Sequence, residues 1–362
     1  MAADPANTEP FALIARPSAS PSPHDIAAAR QRLARRQPPP LLGSHAAAAL
    51  RYKPSDELLL ALNMALHTGS PLLLTGEPGT GKTQAADFVG AYFGIPLFKF
   101  LVKSTSSAQD LLYEFDAVGY LHWAQSDRRS APRTEDAASA KGEPPAVAHE
   151  AAAIREGFLH RRALWQAYNT EGDSVVLIDE IDKAARDFPN DLLHELDQHS
   201  FPHPFDHRRW ITPRSGRRPI VLITSNEERR LPDAFLRRCI FHRIELTPTL
   251  VADAVNSMAG DGGNAFPHLD AGTREAAQRR FWELRDVVGL DKKPSTAELL
   301  TWLAILSAQR ATVAQLRDSH LADLPALGAL IKDAEDLRRL GSRTGHPRAG
   351  QPGAGYRTTG QR

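Results

Sequence analysis

The segment Gly76-Glu77-Pro78-Gly79-Thr80-Gly81-Lys82-Thr83 constrains this chain more than any other. It fits the pattern G-x-x-x-x-G-K-[ST], which works only where a strand runs into it and a helix leaves it. Both contexts are present: Pro71–Thr75 is an apolar run with strand character, and Lys82–Phe93 has helical spacing. The glycines let backbone amides turn inward around phosphate oxygens, and the helix N-terminus adds free N–H groups and its dipole. At the end of such a loop the Lys82 ammonium reaches the β- and γ-phosphates, and the Thr83 hydroxyl ligates Mg²⁺. Nucleoside triphosphate, with Mg²⁺, is therefore the ligand the loop implies.

Four further apolar runs read as strands: Leu97–Val102, Val175–Asp179, Pro219–Thr224 and His242–Leu246. Val175–Ile178 and Ile220–Ile223 are apolar at consecutive positions, the mark of strands buried on both faces. Helical segments such as Lys82–Phe93 and Asp191–Gln198 lie between them. Strand–helix alternation of this kind predicts an α/β fold, a parallel sheet with helices on both faces. Beyond Thr249 the strand signal stops, and Glu275–Val288, Ala297–Gln309 and Leu321–Leu340 have helical spacing of Leu, Ile and Trp. The expected organisation is an α/β nucleotide-binding domain over 41–248 followed by a small all-helical domain over 249–340. Phe281, Trp282 and Trp302 are expected in the packing of the latter.

Three stretches fall outside this body. Residues 1–40 hold eight prolines and offer little to bury, so disorder is expected, with a short helix conceivable around Asp25–Arg36. The polar stretch 126–150 is expected to be a flexible insertion. Residues 341–362 carry six glycines and four arginines with no acid, and read as a disordered basic tail.

Composition narrows the function classes. Lysine and arginine total 44 against 43 acids, a net charge of +1, which argues against non-specific gripping of nucleic acid or anionic lipid. The basic residues are 35 Arg and 9 Lys, a compositional skew rather than a phosphate-binding signal. The single Cys239 excludes an internal disulfide and any cysteine-based metal cluster, and suits a reducing compartment, so a cytoplasmic protein is expected. No run reaches about 18 apolar residues, so no membrane span is expected. Phe11–Ala15 is too short for a signal-peptide core.

Three groups add chemistry to the loop. Val175–Asp179 ends in the adjacent carboxylates Asp179 and Glu180, at the strand end where ligands of parallel sheets sit. Asp179 suits Mg²⁺, directly or through water, and Glu180 suits polarising a water for attack on the γ-phosphate. Asp182 is read as local charge balance for Lys183. Pro219–Thr224 ends in Ser225-Asn226-Glu227-Glu228, where Asn226 is the choice for a γ-phosphate or water contact. Arg237 and Arg238 follow an apolar helical turn, Leu231–Leu236, and taken alone read as surface charge. His194, His199, His203 and His207 fall within 14 residues, but Pro202 and Pro204 break the helix that would align them, so a surface loop is expected rather than a zinc site.

In this order the motifs GEPGTGKT, VVLIDEID, TSNEER and LPDAFLRRC resemble the Walker A, Walker B, sensor 1 and arginine-finger regions of an AAA+ ATPase, specifically the MoxR branch. The resemblance spans about residues 50–310. Lys103-Ser104-Thr105, Asp110-Leu111-Leu112-Tyr113 and Lys293-Pro294-Ser295-Thr296 are similar to the subgroup linked to carbon monoxide dehydrogenase maturation. The resemblance implies nucleotide contacts from Gly76, Glu77, Pro78, Gly79, Thr80, Gly81, Lys82, Thr83 and Asp179. It implies metal contacts from Thr83 and Asp179, and catalytic roles for Glu180, Asn226 and Arg238, with Arg237 beside it. It also implies a ring, most often a hexamer, in which the arginine reaches a neighbour's ATP. A client protein and a partner bearing a von Willebrand A domain belong to the same expectation. One element departs: the lid helix of MoxR proteins begins with a sensor 2 arginine, whereas Lys292–Leu299 offers Lys292 and Lys293. Lysine lacks the two-pronged geometry of arginine. The rival readings are a nucleic-acid-stimulated motor or restriction-type NTPase, disfavoured by the charge balance, and a slow nucleotide switch.

Overall fold

The computed structural model describes residues 23–34, 49, 51–130, 154–260 and 264–343. It contains two compact units, one over Ser44–Leu246 and one beginning at Thr247 that also includes the helix Pro23–Ala34.

The strands described in the first unit, in chain order, are β1 (Leu72–Thr75), β2 (Leu97–Leu101), β3 (Tyr113–Phe115), β4 (Leu159–Arg161), β5 (Val175–Asp179), β6 (Phe201–His203), β7 (Asp206–Ile211), β8 (Ile220–Ser225) and β9 (Ile240–Arg243). Five of them form one sheet in the order β2-β5-β8-β1-β9, and every pairing in it is parallel. The three central strands are apolar and buried at nearly every position, as both faces are covered. Below one face lies a core containing Trp165, Tyr168, Phe188, Phe201 and Phe235. The register sets Thr75 beside Ser225 and Arg243, and Leu101 beside Asp179. The carboxyl ends of β5, β8 and β1 are thus consecutive along one rim. The α/β parallel-sheet expectation holds, and a helical region follows it.

Several local readings are corrected. β9 starts at Ile240 rather than His242 and ends at Arg243, because its register with β1 runs out opposite Thr75 and leaves Leu246 without a partner strand. Asp191–Gln198 is two short helices, Phe188–Asp191 and Leu193–Gln198. The insertion expected at 126–150 begins as the end of a helix, Ala117–Ser130, and residues 131–150 lie outside the described residues. The helix near Asp25–Arg36 is present as Pro23–Ala34, while 1–22 and 35–40 lie outside the description. The tail does as well, except for 341–343, which close the last helix. Two antiparallel strand pairs, β3 with β4 and the hairpin β6 with β7, are not legible as strands in the sequence.

In the second unit, the helices Pro248–Ala259, Ala271–Arg285, Thr296–Ala308 and Val313–Asp318 begin on side-chain caps, and before Ala334–Arg343 the Asp333 carboxylate accepts the Glu335 N–H at 2.7 Å. Ser295 and Glu298 form a reciprocal capping box at the third of them, and Thr312 and Gln315 at the fourth. Phe281 and Trp302 are fully buried, and Trp302 Nε1 donates to the Pro325 carbonyl at 2.7 Å. A continuous helix over Leu321–Leu340 does not form. Pro325 has no N–H to give, Ala326 takes a φ of 54°, and only short 3-10 turns precede the helix that starts at Ala334. Asp336, fully buried, accepts the backbone N–H groups of Asp291 and Lys292 at 2.9 and 3.1 Å. The Lys292 and Lys293 side chains are exposed.

Candidate functional site

The loop between β1 and the helix Lys82–Phe93 has the shape its glycines predict. Gly76, Gly79 and Gly81 all take positive φ, and Gly81 is the cap from which the helix starts. At Gly76 a Cβ would stand 2.3 Å from the Ile244 carbonyl oxygen, so no other residue fits this backbone. Glu77, Pro78 and Gly79 are exposed at the loop's tip, whereas Thr80 is buried and its hydroxyl donates to the Glu77 carbonyl at 2.9 Å.

Lys82, the first helical residue, is only 6% exposed, and its ammonium donates to the Gly76 and Glu77 carbonyls at 2.7 and 2.9 Å. Burial lowers its pKa from the ordinary lysine value, and Asp182, Asp179, Glu180 and Glu227 pull it back up. The positive charge is therefore held inside the loop, ready for an anion that satisfies it better than two carbonyls do.

Across the rim, Asp179 at the end of β5 accepts on Oδ1 from the Thr83 hydroxyl at 3.0 Å and from the Thr224 hydroxyl at 2.6 Å. The Thr224 oxygen in turn accepts the Glu180 backbone N–H at 2.8 Å. Glu180 has a φ of 60°, a left-handed conformation that costs a non-glycine residue about 1–3 kcal/mol unless its surroundings fix it. Here they do: besides the Thr224 contact, Asn226 Nδ2 donates to Glu180 Oε1 at 3.2 Å and Lys183 Nζ reaches Oε2 at 2.5 Å. The carboxylate is aimed by Asn226, just past the end of β8, and by Lys183 of the turn Ile181–Lys183.

Two residues of this network exceed the sequence reading. Thr224, 1% exposed, joins the two carboxylate-bearing residues. Its signal was a hydroxyl closing an otherwise apolar strand. Asp182 does not serve as the charge balance for Lys183 that its position suggests. It is 3% exposed and accepts the backbone N–H groups of Asn226 and Glu228 at 3.2 and 2.9 Å, fixing the loop that carries Asn226. Lys183 pairs with Glu180 instead.

Lys82, Thr83, Asp179, Glu180 and Asn226 are thus brought together, and Arg237 and Arg238 are not bonded to any of them. Arg238 donates through Nε to Asp197 at 2.5 Å and through Nη1 to the Ala234 carbonyl at 2.9 Å. Arg237 is exposed, and its side chain has no hydrogen bond or ion pair among the described residues. The histidine stretch is a surface feature only in part: it runs through a short helix and a strand pair, with His194 and His207 exposed. His199 and His203 are buried, and His203 stacks edge-on against Trp165 within the β6–β7 hairpin. Among the described residues no group of three metal-ligating side chains is assembled.

The donor set at Thr83 and Asp179 is hydroxyl plus carboxylate, the hard oxygens that suit Mg²⁺. The rest of the rim supplies a cation for phosphate and a carboxylate with an amide beside it for water. Among the described residues no helix is long and apolar enough to cross a membrane.

Comparison with known proteins adds the following. No curated protein matches the chain. A candidate ATPase from Cytophaga hutchinsonii, known from a crystal structure, is similar at 11% identity with a TM-score of 0.37, over 83% of this chain and 84% of that one. The FIGL-1 AAA domain in complex with ADP is similar at 19% identity and a TM-score of 0.31, over 78% and 73%. Residues 72–248, which contain every member of the rim network, match the model of the ATPase family associated with various cellular activities (AAA), and this stretch of the chain is an AAA ATPase domain.

Proposed function

We propose that the chain is a MoxR-type AAA+ ATPase of the cytoplasm that uses ATP hydrolysis to remodel or mature a partner protein complex. It acts as a head-to-tail ring, a hexamer, on a protein client and beside a partner with a von Willebrand A domain. The observation that carries the reading is the continuous network Thr83–Asp179–Thr224–Glu180–Asn226 across three adjacent strand ends. The choice of branch is supported by the motif order and by the Lys103–Thr105, Asp110–Tyr113 and Lys293–Thr296 segments.

In this reading the amides of Gly76–Gly81 and the Lys82 ammonium bind the phosphates. Thr83 and Asp179 hold Mg²⁺, which when bound offsets charge on the phosphate oxygens. Glu180 takes the proton of the attacking water, oriented by Asn226, whose amide already meets its carboxylate at 3.2 Å. Arg238 of one chain completes the site of the next.

The experiment separates binding from turnover. Glu180→Gln keeps the size and a hydrogen-bonding group but loses the base, so ATP affinity should stay while turnover falls by roughly 10²–10⁴. Unchanged turnover contradicts the assignment of the base.

A further inference from the structure

Arg238 is the more constrained of the two adjacent arginines. It follows the short helix Asp233–Leu236, whose Phe235 is fully buried in the core of the sheet domain. Its guanidinium is held at two points by its own chain: Nε donates to Asp197 Oδ2 at 2.5 Å, and Nη1 donates to the Ala234 carbonyl at 2.9 Å. Nη2 has no partner among the described residues, and the side chain is 40% exposed. Asp197 sits on the helix Leu193–Gln198, next to Leu196, which is 4% exposed and belongs to the same core as Phe235. Both partners of the ion pair are therefore mounted on anchored elements. Arg237, one residue away, has no such hold.

We infer that Asp197 is a positioning residue for Arg238: it holds Nε, and with the Ala234 carbonyl on Nη1 it fixes the plane of the guanidinium, so that Nη2 stays open as a pre-set donor to an anionic phosphate oxygen. This rests on the reading in which Arg238 serves a neighbouring chain's nucleotide. An arginine side chain loses much rotamer freedom when it docks, and fixing it beforehand removes that cost at the moment of reaction. A pair this exposed contributes little to folding, so a role in orientation accounts for its geometry better than a role in stability. The same hold selects Arg238 over Arg237, because only a guanidinium already held at one edge offers a defined direction to the partner.

The test is a double-mutant cycle on the full-length assembled protein, with steady-state ATP turnover, KM and nucleotide affinity measured for Asp197→Ala, Arg238→Ala and the double variant. Asp197→Ala should lower kcat by roughly 10–100-fold with KM and affinity changed less than about twofold, the size expected for a misplaced group. In the Arg238→Ala background the same change should cost nothing further, and Asp197→Asn, which keeps an acceptor for Nε, should recover part of the rate. Wild-type or raised turnover in Asp197→Ala, or an equal loss in both backgrounds, overturns the inference while leaving the trans arginine in place. Undiminished turnover in Arg238→Ala overturns the trans-arginine reading itself, and the inference with it.

Discussion

The rim of β5, β8 and β1 and the segment carrying Arg237 and Arg238 lie in the same unit and differ in how their charged groups are held. On the rim each functional side chain has partners from other strand ends: Asp179 from Thr83 and Thr224, Glu180 from Thr224, Asn226 and Lys183. Lys82 is almost fully buried. The arginine segment has one guanidinium tied to Asp197 and another, Arg237, exposed with no partner among the described residues. The rim is finished by a single chain's own fold. Neither arginine is bonded to the rim of its own chain, and the Nη2 of Arg238 is left open, as a contribution to a second chain requires.

The sharpest way to break this contrast is nucleotide affinity. Lys82→Ala should weaken ATP binding at least tenfold, about 1.4 kcal/mol, whereas Arg238→Ala should leave affinity within about twofold, both read by calorimetry or fluorescence. Equal losses would place the arginine inside its own chain's site. The wild-type affinity should also fall as pH rises, beginning below the ordinary lysine value of 10.5. Burial lowers the pKa of Lys82, so its charge is lost at a lower pH than an exposed lysine would lose it.

A smaller effect sharpens the account of the rim. Asp182→Ala removes the acceptor for two backbone N–H groups, from Asn226 and Glu228, and should cost on the order of 1 kcal/mol of stability in denaturant titration. Turnover should fall with it, because Asn226 loses its place beside Glu180. Stability lost with turnover intact would show that the 226–228 loop does not need this anchor to present Asn226.

The parts legible in the sequence were those dictated by local rules. The loop's glycines, the helix Lys82–Phe93 and the strand Val175–Asp179 follow from backbone conformation and continuous burial, and appear with the same bounds in the structure. The rim candidates followed from their position at strand ends. What escaped depends on partners distant in sequence. Thr224 matters because β8 lies beside β5, and Asp182 because it meets backbone groups 44 and 46 residues away. β3 and β4 are three residues each and separated by a long insertion, so neither has enough alternation to read as a strand. Leu321–Leu340 had helical spacing, but Pro325 and the positive φ at Ala326 interrupt it. Asp197 had no motif at all, since its meaning comes only from Arg238, 41 residues on.

The central claim is that one chain supplies the phosphate-binding rim and another supplies the arginine. Mixing tests it most directly. Lys82→Ala and Arg238→Ala proteins should each hydrolyse ATP poorly alone. In a random ring of equal parts, about a quarter of the interfaces set an intact rim against an intact arginine, so turnover should recover toward that fraction of the wild-type rate. Co-assembly of the two proteins with no recovery of turnover would contradict the account.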